Sequence, residues 1–141
     1  VAGYDFSAGY MRRETSWRWA SINHRREDKS IGLNLAAGVN ETGNCENVIW
    51  IDGERHLMPP VHFEFSRMHQ EASWRITSQD KRIDLIFKPK NQRSEKKNFW
   101  FLKSNFRQFV GYFSGYLIDD NGIKHELDEV MGLTEDHYAK W

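Results

Sequence analysis

The chain has 141 residues, a length that fits one compact domain. Its 20 basic and 20 acidic side chains give a net charge of zero, which excludes binding to nucleic acid or to an anionic membrane surface driven by overall charge. Nine Phe, five Tyr and six Trp make 14% of the chain aromatic, so a folded domain rich in large flat side chains is expected, not a disordered segment.

Cys45 is the only cysteine, which excludes an internal disulfide and a Cys-based zinc site. No apolar run approaches the 18 or more residues of a membrane span, and the first residues do not have the charged start and apolar stretch of a signal peptide. A cytoplasmic location is the expectation. The first residue is Val1 and not Met, so the chain reads as a piece of a longer protein.

In chain order, the stretch from Met11 to Ala20 alternates with period two, placing Arg13, Thr15, Trp17 and Trp19 on one face of a strand. That face is either a stacking wall with a charged anchor for a ligand, or core packing with Arg13 at its rim. Residues 24–29 are polar and read as a solvated loop. Short strands are expected at 31–37, 48–52, 61–65, 73–77, 83–87, 106–118 and 123–130. Glu46 and Asn47 stand at a strand entrance, where they either reach a barrel mouth or cap the loop. Asp52-Gly53 and Asn121-Gly122 carry the chemistry of tight hairpin turns, Gln79-Asp80-Lys81 that of a further hairpin, and Pro59-Pro60 ends a strand. Residues 89–97 hold no apolar side chain beyond proline and read as a second solvated loop. Gly111 and Gly115 interrupt an aromatic strand as bends or bulges do.

Near the C-terminus, Glu135 and His137 are two apart. On a strand they share a face, and the carboxylate could orient the imidazole for proton transfer; in a short helix capped by Thr134 they would not. The six histidines lack the paired spacing of a metal hydrolase, so no metal is expected. A glycine-rich phosphate loop, a nucleophile elbow and a dinucleotide fingerprint are all missing, and no cofactor is expected. Many short strands with antiparallel turns and no crossover helices predict an all-β barrel or sandwich spanning residues 1–141 as one domain, and the Gly111 and Gly115 kinks favour an antiparallel barrel, of about eight to ten strands.

The stretch Arg13-Glu14-Thr15-Ser16-Trp17-Arg18-Trp19-Ala20 resembles a bacterial family known as domain of unknown function 2804. Glu46-Asn47 followed by Asp52-Gly53, Trp74-Arg75-Ile76, and Asp84-Leu85-Ile86-Phe87-Lys88-Pro89 extend the likeness. So do the runs from Ser104 to Gly115 and from Gly132 to Trp141. The resemblance implies the C-terminal portion of a longer protein and a lipocalin-like (calycin) barrel, whose enzymatic relatives include carotenoid hydratases and tocopherol cyclases. It also implies a strand for residues 133–141. The expected function is binding of a small hydrophobic or amphipathic molecule, with Arg13, Thr15, Trp17, Trp19, Glu46 and Asn47 as contacts. The alternatives are a hydratase, cyclase or isomerase with Glu135 or His137 in proton transfer, and a structural half that packs on an upstream partner segment of the same protein.

Overall fold

The computed structural model describes residues 12–26, 29–38, 45–100 and 102–141; Met11, Glu27 and Asp28 lie outside them. Among the described residues nine strands form one antiparallel sheet: β1 (Glu14–Arg26), β2 (Lys29–Ala37), β3 (Val48–Ile51), β4 (Glu54–Leu57), β5 (Val61–Glu64), β6 (Trp74–Ser78), β7 (Ile83–Phe99), β8 (Leu102–Ile118) and β9 (Lys124–Lys140). Among the described residues there is no helix, and thus none long and apolar enough to cross a membrane.

The strand order is β4-β3-β2-β1-β9-β8-β7-β6-β5. Each strand pairs with its sequence neighbour, except that the ladder is broken between β4 and β5 and made instead between β1 and β9. Those two edge strands are linked by just Met58, Pro59 and Pro60, so the sheet must curl until its edges approach, giving a half-barrel. Proline explains the open seam, because neither Pro59 nor Pro60 has an N–H to extend a ladder. Side chains bridge it. Asn47, fully buried, accepts from the Ala36 amide at 2.7 Å and donates to the Pro59 carbonyl at 2.9 Å. Arg82 donates to the carbonyls of Ile118 and Leu57 and to the Asp120 carboxylate.

Alternation decides which face turns inward. Ala20 and Ile22 of β1, Ile31, Leu33 and Leu35 of β2, and Ile83, Leu85 and Phe87 of β7 are all buried on the concave face. Trp74 centres the aromatic part of this core, stacked on Phe65 (4.1 Å between centroids) and edge-on to Phe63, Phe87 and Phe109. Gly111 and Gly132 face each other across β8 and β9 and leave a notch for two rings. A Cβ at Gly111 would lie 2.7 Å from the Phe87 ring, and one at Gly132 would lie 2.6 Å from that of Phe113.

Two loop expectations are overturned. Residues 89–97 continue β7, His24 to Arg26 belong to β1, and Lys29 opens β2. The 89–97 segment is polar on both faces because it runs past the core as a ladder with β8, so the apolar alternation that marks a half-buried strand has nothing to pack on. The two dipeptide turns also differ. Asp52 and Gly53 both have positive φ, as a two-residue hairpin of this kind requires. At Asn121-Gly122 only Gly122 does, and the turn is built by Asp119, whose carboxylate accepts from the amides of Asn121 and Ile123 at 2.9 Å each and meets His125 at 2.9 Å. The His125 bond holds the Asp119 carboxyl below its ordinary value. Residues 133–140 are strand and not helix, in line with the family resemblance.

Candidate functional site

The predicted tryptophan face lies on the convex side of the sheet, opposite the core. The register sets Trp17 beside His137 and Trp19 beside Glu135, on adjacent strands. The Trp17 and His137 rings are 4.1 Å apart, and Phe106 meets the imidazole edge-on at 5.2 Å. His137 Nε2 lies 3.1 Å from the Ser104 hydroxyl, Gln108 donates to Glu135 at 2.6 Å, and the Trp19 indole donates to Asn34 at 2.8 Å. Glu135 and His137 therefore share a face, as the strand reading requires, while each engages a β8 side chain. The Thr15 hydroxyl is buried on β1, Arg13 is exposed, and Glu46 is exposed with its carbonyl accepting from Asn34. Asn47 is apart from this face, in the seam.

Partial burial among these rings lowers the His137 pKa below the ordinary 6.5. The unfolded chain then takes up a proton near pH 6.5 that the folded chain accepts only at lower pH, so stability must fall as pH drops below 6.5. His137→Phe keeps a ring between Trp17 and Phe106 but cannot titrate. Urea unfolding at pH 7.5 and 5.5 is expected to show a smaller acid loss in this variant than in the parent; an equal loss refutes the assignment.

On the concave side, above the aromatic core, lies a group that the sequence did not single out. Asp136 of β9 is buried and faces three guanidiniums. Arg67, on the loop joining β5 and β6, forms a two-pronged pair with it at 2.8 and 2.9 Å. Arg107 of β8 approaches at 3.3 Å and Arg18 of β1 at 3.8 Å. The loop is held by Phe65, stacked on Trp74, by the Ser66 hydroxyl, which accepts from the His69 amide, and by Arg107, which donates to the Arg67 carbonyl. Three cations around one carboxylate leave an excess of positive charge. Two polar atoms here, Arg107 Nε and the Thr134 hydroxyl, are buried without a hydrogen-bond partner among the described residues.

Arg18 shares parity with Ala20 and Ile22 and so lies on the core face, whereas the sequence reading turns the opposite, tryptophan-bearing face of β1 inward. Arg67 was not legible either, because it is 69 residues from its partner in an irregular loop. Nearer the sheet end, the Tyr138 hydroxyl and Lys140 both bind Glu14, lowering the Glu14 pKa and raising that of Tyr138. Among the described residues no group of three or more His, Cys, Asp or Glu could hold a metal ion.

No curated protein and no solved structure matches the chain. The family model described as "Domain of unknown function (DUF2804)" matches residues 1–141, and the chain belongs to that family.

Proposed function

We propose that the concave face binds a small amphipathic molecule with an anionic head. The observation that carries this reading is the arginine group: Arg18, Arg67 and Arg107 share a single carboxylate, and a buried Arg107 N–H and Thr134 hydroxyl sit beside it without hydrogen-bond partners among the described residues. A carboxylate, sulfate or phosphate head suits such forks, which hold planar or multi-oxygen anions by paired hydrogen bonds. Directly below, Phe109, Trp74 and Phe65 form an apolar floor for a tail. The Arg67 pair makes the 65–73 loop a cover over this floor, latched to β9 by two hydrogen bonds.

In this reading the polar anchor is the arginine group and not Arg13, Glu46 or Asn47, and the convex Trp17 and Trp19 face takes no part in holding the head. The cyclic meander, with first and last strands paired, supports the lipocalin-like kinship that the sequence motifs imply.

Calorimetric titration with dodecanoate and with dodecanol tests it. Dodecanoate is expected to bind, dodecanol to bind at least about tenfold more weakly, and Arg107→Met to weaken dodecanoate by about ten- to a hundredfold, since a charge-assisted hydrogen bond contributes roughly 1.5–3 kcal/mol. The reading fails if dodecanoate does not bind, or binds the variant equally well.

A further inference from the structure

We infer that the end of the sheet formed by the tip of β7 and β8 and the close of β9 docks on the surface of an anionic lipid bilayer. The last paired residues of the β7–β8 hairpin are Phe99 and Leu102, and the sequence from 99 to 102 is four apolar residues in a row, of which Phe101 lies outside the described residues. Hairpin turns ordinarily use Gly, Asn, Asp or Pro, as Asp52-Gly53 does in this chain. Trp100 is fully exposed and Phe99 more than half exposed.

The register brings a further aromatic ring, Trp141, to the same end. Lys140 pairs with Lys103 and with Glu14, and the Trp141 amide donates to the Arg13 carbonyl at 3.1 Å, so Trp141 extends the row that holds Leu102 and Phe99. Trp141 is also exposed. Arg13 lies level with this apolar row, and Lys140, Lys103, Lys97 and Lys96 come immediately behind it, within three residues along their strands, on both faces of the sheet. At roughly 3.4 Å per strand residue these cations trail the aromatic edge by no more than about 10 Å.

That order, rings leading and cations close behind on both sides, matches a lipid interface. Indole and phenyl rings settle at headgroup level, and lysines beside them meet anionic headgroups. A fully exposed ring at a hairpin tip, as Trp100 is, is buried best by a medium that surrounds the tip, which a one-sided groove does not. Zero net charge does not oppose this, because residues 88–107 hold seven of the chain's 20 basic side chains and one of its 20 acidic ones. The inference is independent of the ligand reading: the arginine group lies four residues further down the same strands.

Co-sedimentation of the 141-residue chain with vesicles of phosphatidylcholine alone, or with 30% phosphatidylserine, tests it. Partition is expected to be at least tenfold higher on the anionic vesicles and to fall in 0.5 M salt. Trp100→Ser is expected to lower it at least tenfold and Trp100→Phe to retain most of it. Trp100 is exposed, so unchanged near-ultraviolet dichroism of buried aromatics will confirm the fold of each variant. Equal partition on the two vesicle types overturns the inference, as does an unchanged Trp100→Ser variant or binding to single-stranded DNA without binding to vesicles.

Discussion

Asp136→Ala is expected to cost about 3 kcal/mol of folding stability, near the lower end of the range for breaking a buried ion pair. The reason lies in the guanidiniums left behind. Arg67 is half exposed and can return to water, which discounts its share, and Arg18 touches the carboxylate only at 3.8 Å. Arg107 cannot escape so easily, with its side chain 12% exposed and its Nε already without a partner. Removing Asp136 leaves that charge buried and unpaired. Urea unfolding measures the loss, and the double variant with Arg107→Met is expected to lose less than the two single changes combined. A loss below about 1 kcal/mol would place the pair among solvated surface contacts and would sink the account.

Trp74→Ala is expected to be the most damaging single change in the core, at about 3–5 kcal/mol, the range for removing a buried large aromatic. Trp74 contacts four phenyl rings from β5, the following loop, β7 and β8, so a cavity there has walls on several strands. It also supports the stacked Phe65, and through it the loop that carries Arg67. Beyond the stability loss, trypsin is therefore expected to cut after Arg67 faster in the variant under native conditions. Unchanged cleavage would show that the Asp136 latch alone holds the loop.

The strands with one apolar face were legible because burial on one side imposes period two, as in Ile31-Gly32-Leu33-Asn34-Leu35 and Ile83-Asp84-Leu85-Ile86-Phe87. The face to which β1 turns its tryptophans was harder. Large apolar rings sit at 17 and 19, yet the core takes Ala20 and Ile22, and the parity is settled by the neighbouring strands β2 and β9. The polar part of β7 reads as a loop because it has no core beneath it; its partner β8, which alternates more clearly, is what makes it a strand. The shared face of Glu135 and His137 followed from spacing once a strand was assumed. The arginine group did not, since it joins residues from β1, β8, β9 and a loop, and nothing local announces that four distant charges will meet.

The ladder between β1 and β9 has a consequence for how the chain reaches this state. Its partners are between 110 and 126 residues apart, whereas every other ladder joins strands adjacent in sequence. The local meanders β1 to β4 and β5 to β9 can form by short-range closure, and their union must wait for the last strand and a large loop-closure entropy. A circular permutant joined across the β1 and β9 ends and opened at Pro59 would keep all eight ladders while making that slow pairing a local hairpin. The proline seam is thus the natural place to cut the ring, and the paired ends the natural place to seal it.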